Sequence, residues 1–483
     1  MSSYLNSLPP PPPPPRTAGT GAGSAAPSAS PPLDTDTSTA PPASQTPQRR
    51  THKHSQSTHW NDTPDLGLPS AGGPRKRERV TSRAFAPSLA ATPEAGQSRR
   101  ASASPSPSPQ APAPRVLPGD AILPAFQAPP PPPPEPVLSR RYGPRGLPAD
   151  VLHFPSLSSS SSDASTSSAS STTKLVLLFL PGNPGLVNYY TAFLSSLRNA
   201  LPSPLRETTE IYAVGHLGHS TAPGLEGRGF RPQEQASLDE QVEDKVRFVD
   251  ELRGGALRVG QEGGARCVVL GHSIGAWVGM QLIKQRPSLT ALHMLFPTLS
   301  HMASTPNGRK LSPLFSSWTL RPVFYSTTAL SYLPTALTSK LVGLLTGQVG
   351  PGMEVTTRLV SSPQTVLAAL TMAREELATV TELDGAAVGQ LAREGKLWIY
   401  YAAEGVDGWV TEDAAREVER TVEDAVGREQ RERRVRRCIE GMPHAYVLDE
   451  AHSASLARKC AGWIVEDLAS LDSAAPGDQD TSA

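Results

Sequence analysis

Cysteine is scarce, charge is balanced and long apolar runs are missing, and each absence narrows the possibilities. The chain has three cysteines, Cys267, Cys438 and Cys460, in 483 residues. So small and odd a number builds no disulfide framework, which points to a reducing compartment. Lysine plus arginine and aspartate plus glutamate number 45 each, so the formal net charge is zero. No global field then draws the protein to nucleic acid or to an anionic membrane. No uncharged apolar stretch reaches the roughly 18 residues of a membrane span. The opening MSSYLNSLPP carries no apolar h-region, so no secretory signal is expected.

Proline and serine are abundant, and they are unevenly spread. Proline runs cover Pro9 to Pro15 and Pro129 to Pro134, and a serine-rich tract covers Ser156 to Ser171. Text of this kind buries too little apolar surface to offset its chain entropy, so residues 1–171 are expected to be a disordered tail. Within it, Arg75-Lys-Arg-Glu-Arg79 is a short basic run and Arg99-Arg-Ala-Ser102 resembles a basic-directed phosphorylation site. Such clusters are common in solvated tails. The proline runs form polyproline II and suit SH3- or WW-type partners.

From Lys174 onward, strand and helix patterns alternate. Leu175-Val-Leu-Leu-Phe-Leu180 reads as a strand buried on both faces. Pro181-Gly-Asn-Pro-Gly185 ends it, and a helix fits Val187 to Leu197. Ile211 to Val214, Cys267 to Leu270, Ala291 to Phe296 and Leu397 to Tyr401 read as further strands. Val435 to Ile439 is a final one, whose arginines mark an edge. Leu238, Val242, Val246, Val249 and Leu252 define an amphipathic helix, as do Leu456, Cys460, Trp463, Ile464 and Leu468 at the end. This rhythm predicts an α/β domain over 172–470, with a mostly parallel sheet covered on both faces and a disordered tail over 471–483.

Residues 297–389 interrupt the rhythm and are too long for a plain loop. They read as a helical cap inserted over the carboxyl edge of the sheet, with one helix through Leu367, Leu370 and Leu377. The segment Trp318 to Gly347 is rich in Leu, Tyr, Trp, Thr and Pro and has only Arg321 and Lys340 charged. Two readings stay open: packing of the cap on the core, or a surface hairpin dipping into a lipid interface.

Gly271-His-Ser-Ile-Gly275 matches G-x-S-x-G. A buried strand runs into it and a helix from Gly275 to Gln285 leaves it, which is the setting of a nucleophile elbow and of the α/β-hydrolase fold. The two glycines relieve crowding around a strained serine. Ser273 is therefore the candidate nucleophile. The backbone N–H groups of Ile274 and Asn183 are the candidate oxyanion donors, since Pro184 has none. In this fold the order is serine, acid, histidine. Of eleven histidines, only His444 and His452 follow the acid region. His444 lies in a loop and His452 in the first turn of the last helix, so His444 is the candidate base. Asp407 is the candidate acid, with Asp413 and Glu404 as rivals. His216 and His219 read as structural groups in a turn. No metal or organic cofactor is required by these residues.

The same stretch resembles the lipid droplet-associated hydrolase family. The resemblance rests on Leu180-Pro-Gly-Asn-Pro-Gly185 with Tyr189-Tyr190, on Gly215-His216 with Gly218-His-Ser220, and on Gly271-His-Ser-Ile-Gly275. It continues in Leu295-Phe-Pro-Thr298 with Ser304-Thr-Pro-Asn-Gly308, in Asp407 near Trp409, and in Pro443-His-Ala445. It implies an enzyme on the lipid droplet or the cytoplasmic side of the endoplasmic reticulum, acting on lipid esters such as sterol esters or acylglycerols, with Ser273, Asp407 and His444 as its triad. The segment from Tyr401 to Asp407 is slightly longer than the family's usual Tyr-Gly-x-x-Asp. An inactive lipid-surface scaffold and an esterase or thioesterase on soluble acyl groups are the alternatives.

Overall fold

The computed structural model describes residues 134–157, 174–222 and 228–474. Its frame is one eight-stranded sheet in the order β1-β2-β4-β3-β5-β6-β7-β8. The strands are β1 (Val137–Tyr142), β2 (Pro148–Phe154), β3 (Leu175–Leu180), β4 (Thr209–Val214), β5 (Arg266–His272), β6 (Ala291–Leu295), β7 (Leu397–Tyr401) and β8 (Val435–Arg437). β2 runs antiparallel to β1 and β4, and every other pairing is parallel.

The apolar run of β3 explains the layering. All of its six residues are buried, and successive side chains turn to opposite faces. Val176, Leu178 and Leu180 join a core that includes Val242 and Val249 of the helix Leu238–Gly254 and Val278 and Leu282 of the helix Ile274–Gln285. Leu175, Leu177 and Phe179 pack on the other side with Phe193 and Leu197 of the helix Thr191–Ala200 and with Leu456, Cys460 and Ile464 of the helix Glu450–Ala474. One strand thus ties two helical layers together.

Three expected boundaries move. The stretch assigned to a tail ending at residue 171 contains β1 and β2, and Val151, Leu152 and Phe154 are at most 5% exposed. These strands sit between low-complexity neighbours, and β1 exposes much of its surface as an edge strand does. The last helix runs to Ala474, past the expected end at 470. The cap ends earlier than 389. The helix Gly385–Arg393 places Ala387, Val388 and Leu391 in the core beneath the sheet, so it belongs to the sheet layer. The cap is built from the helices Ser317–Ser331, Thr335–Thr346, Gly350–Val360 and Pro363–Thr379. The basic run, the Arg99-Arg-Ala-Ser102 site and the first proline run lie outside the described residues.

Candidate active site

β5 delivers Ser273 to a sharp turn. Its backbone sits at φ 55°, ψ −125°, a conformation rare for a residue with a Cβ. The turn is held by Ser273 N–H donating to the Leu295 carbonyl (3.0 Å) and Thr298 N–H donating to the Ser273 carbonyl (3.4 Å). A Cβ on Gly271 would lie 2.5 Å from the Gly275 carbonyl oxygen and 2.6 Å from Ala276 Cα, and one on Gly275 would overlap the Leu180 carbonyl. Both positions need glycine for close approach rather than for flexibility.

Three side chains from separate loops meet here. His444 Nε2 lies 2.9 Å from Ser273 Oγ. His444 Nδ1 lies 2.8 Å from Asp407 Oδ2. A carboxylate only accepts, so Nδ1 donates to Asp407 and Nε2 is left to accept from the serine hydroxyl. Asp407 Oδ1 takes the N–H of Trp409 at 2.8 Å, which fixes its orientation. The rivals lie elsewhere. Glu404 pairs with Arg416, and Asp413 lies in the first turn of the helix Glu412–Val426, whose cap is Thr411. His452 lies at the start of the last helix beside Asp449. The Pro306-Asn-Gly308 segment also has a task. Asn307 N–H donates to the Gly408 carbonyl at 2.8 Å, next to the acid.

The loop after β3 faces the serine. Gly182 N–H donates to Tyr190 Oη (3.0 Å), so it is already engaged. The next N–H along the loop is that of Asn183. Ile274 begins the helix after the serine, where the first N–H groups have no partner within the helix. His216 donates from Nε2 to the Pro181 carbonyl (3.0 Å), and His219 from Nδ1 to the Pro184 carbonyl (2.7 Å). Burial holds His216 well below the usual histidine range and His219 at about 4, so both are neutral supports of this loop.

Several members escaped the sequence reading. Tyr190 Oη lies 2.8 Å from His272 Nδ1, and His272 Nε2 lies 3.0 Å from the His444 carbonyl. Burial holds His272 well below its ordinary value, so the ring is neutral. The carbonyl can only accept, which makes Nε2 the donor and Nδ1 the acceptor of the tyrosine proton. A one-way chain from Gly182 through Tyr190 and His272 therefore links the loop to the backbone of His444. The motif's second position gives no hint of this, because any residue satisfies the pattern.

A cavity of 510 Å³ opens over Ser273 and His444, with Leu186, Met302, Phe315, Leu359, Val360 and Leu370 among its walls. Glu376 also lines it, and it is 3% exposed. Burial pushes this carboxyl up to about 7, against the lowering effect of a hydrogen bond from Asn183. The unfolded chain releases this proton near pH 4.5 and the folded chain near 7, so stability falls as pH rises between those values. Glu376→Gln should then gain on wild type by about 3 kcal/mol from pH 4 to pH 8. Thermal melts across that range test this, and a difference independent of pH contradicts it.

A mostly parallel sheet with an antiparallel second strand, a serine on the turn after β5, an acid after β7 and a histidine after β8 define an α/β-hydrolase. A model of the lipid-droplet associated hydrolase family matches residues 173–447, and the chain belongs to that family. It is similar to the lipid droplet-associated hydrolase of Gallus gallus, 28% identical over 62% of this chain and 87% of the other. The human counterpart is 25% identical over 57% and 80%, and that of Drosophila melanogaster 28% over 49% and 75%. Solved structures of similar shape include a putative aryl esterase from Burkholderia cenocepacia. It is 12% identical, with a TM-score of 0.42, over 69% of this chain and all of the other. A haloalkane dehalogenase from Agrobacterium tumefaciens is 14% identical, with a TM-score of 0.45, over 69% and 97%.

Proposed function

We propose that this hydrolase cleaves carboxylic esters of lipids, sterol esters or acylglycerols among them, at the surface of lipid droplets through Ser273, His444 and Asp407. The continuous Ser273–His444–Asp407 hydrogen-bond chain carries the proposal. His444 takes the Ser273 proton as Oγ attacks the ester carbonyl. The N–H groups of Asn183 and Ile274 hold the oxyanion. The intermediate collapses, the alcohol leaves with the proton from His444, and an acyl-serine remains. Water, deprotonated by His444, then attacks the acyl carbon and releases the acid. Asp407 keeps the imidazole in the required tautomer and stabilises its charged form. The apolar walls of the cavity suit a lipid chain.

The cap supports the choice of surface. Its helices Ser317–Ser331 and Thr335–Thr346 and the turn between them leave Trp318 75%, Tyr332 84%, Leu344 82% and Leu345 74% exposed. Phe315 and Gln348, just outside the two ends of this hairpin, line the cavity. A droplet monolayer meeting the hairpin would thus lie beside the entrance. No helix among the described residues is long and apolar enough to cross a membrane. The exposed apolar side chains of the hairpin suit docking in the interface. The same surface fits the cytoplasmic side of the endoplasmic reticulum. The proline runs are the proposed docking sites for SH3- or WW-type partners.

The triple variant Trp318→Asp, Leu344→Asp and Leu345→Asp tests this reading. At about 1.5–3 kcal/mol for each large apolar side chain withdrawn from lipid, flotation with triolein droplets coated in phosphatidylcholine should weaken at least about 100-fold. Hydrolysis of a soluble short-chain ester should persist. Unchanged flotation contradicts the docking surface, and loss of both activities points to a packing role instead.

A further inference from the structure

Glu376 belongs to no step above, yet it is buried in the wall of the active-site cavity. The side-chain amide of Asn183 donates from Nδ2 to two groups, Glu376 Oε1 (2.9 Å) and the Ala369 carbonyl (2.9 Å). Both acceptors lie on the cap helix Pro363–Thr379. The supports from the sheet domain hold other parts of the loop: His216 the Pro181 carbonyl, Tyr190 the Gly182 N–H, and His219 the Pro184 carbonyl. The Asn183 side chain is held from the cap.

A buried carboxyl is an expensive way to fill that place. Among the described residues Glu376 makes no ion pair, and Asn183 is its one side-chain hydrogen-bond partner. Leu367, Ala368 and Met372 on the same helix are buried apolar residues, and an apolar side chain at 376 would avoid the desolvation penalty. Packing therefore does not explain the acid, whereas a required acceptor for Asn183 does.

We propose that Glu376 is a positioning residue for ester hydrolysis, fixing Asn183 from the cap helix so that its backbone N–H points at the oxyanion. The inference rests on the triad reading above and adds a consequence. The oxyanion site is complete only while the cap helix is docked, so the cap controls chemistry as well as entry.

The reaction of the full-length protein with an alkyl fluorophosphonate tests it. Ser273 Oγ attacks phosphorus, the P–F bond breaks, fluoride leaves, and His444 takes the hydroxyl proton. The phosphoryl oxygen gains charge where the ester oxyanion would. Glu376→Ala should lower kinact by roughly 10- to 100-fold with KI changed by less than about threefold, since displacing a donor loses less than removing one. Glu376→Gln keeps an acceptor for Asn183 and should restore kinact to within about threefold of wild type. Asn183→Ala should lose at least as much, since it also gives up the bond to the Ala369 carbonyl, and the double variant should lose no more than Asn183→Ala, because Glu376 acts only through Asn183. A wild-type kinact in folded Glu376→Ala overturns the proposal, as does a Gln variant as slow as Ala. Should Glu376→Ala fail to fold, a wild-type kinact in Asn183→Ala overturns it equally. Ser273→Ala separates the two levels: labelling that survives there sinks the triad reading, whereas labelling lost there but unaffected by Glu376→Ala sinks the positioning role alone.

Discussion

His444→Ala should lower hydrolysis of a soluble ester by on the order of 10⁶, the same loss as Ser273→Ala, and the double variant should lose no more. The reason is geometric. Among the described residues the base in hydrogen-bond reach of the serine hydroxyl is His444 Nε2, at 2.9 Å. Without it the oxygen remains a neutral, weak nucleophile. Without the serine the histidine has nothing to activate, so the two losses are one loss. Asp407→Asn should lose about 10⁴, because an amide in place of the carboxylate no longer enforces the tautomer with Nδ1 protonated. Initial rates at saturating ester concentration check all four variants. A His444→Ala rate within about 10³ of wild type contradicts the role of the histidine.

Removing residues 134–157 should abolish cooperative folding, whereas a chain beginning at residue 134 should melt as the full-length protein does. β2 pairs with β4 from Val151 to Phe154, and Asp150 accepts from Ser220 Oγ at 2.8 Å. On β1, Arg141 bonds Asp244 at 2.6 Å beside the buried Lys245. The deletion strips β4 of its neighbour and uncovers Ile211, Ala213 and Val214. Leu147, Val151, Leu152 and Phe154 are lost from the core. At about 1.5–3 kcal/mol for each, that is comparable with the 5–15 kcal/mol that holds a typical domain together. Melting followed by circular dichroism decides it, and equal transitions for the two chains would show the strands to be dispensable.

The sequence made the sheet from β3 onward legible because its strands are continuous apolar runs and its helices carry a clean 3.6-residue stripe. β3 and β7 are buried along their whole length, as their composition requires. β1 and β2 were lost among proline and serine tracts, where a mean over composition hides a short alternating segment. The end of the cap is hidden in the sequence for a related reason. Ala387, Val388 and Leu391 form an apolar helix stripe wherever they pack, and only the fold shows that they pack under the sheet.

At the candidate site, the sequence could single out Ser273, Asp407 and His444, which the structure brings together, because a hydrolase triad would fix residue type, local turn and chain order. The supports were not. Glu376 follows Arg374 and Glu375, a charge run that reads as a solvated helix face. Its burial arises only where the cap docks. Tyr190 and His272 form their chain because three loops distant in sequence converge, which no local pattern encodes.

The account's central claim is that Ser273 is the nucleophile, and mapping a fluorophosphonate adduct on the full-length protein tests it most directly. Peptide mass spectrometry should find the phosphonyl group on Ser273, within Gly271-His-Ser-Ile-Gly275, and none in His444→Ala at the same exposure. An adduct on another serine, or on none while ester hydrolysis proceeds, would contradict the account.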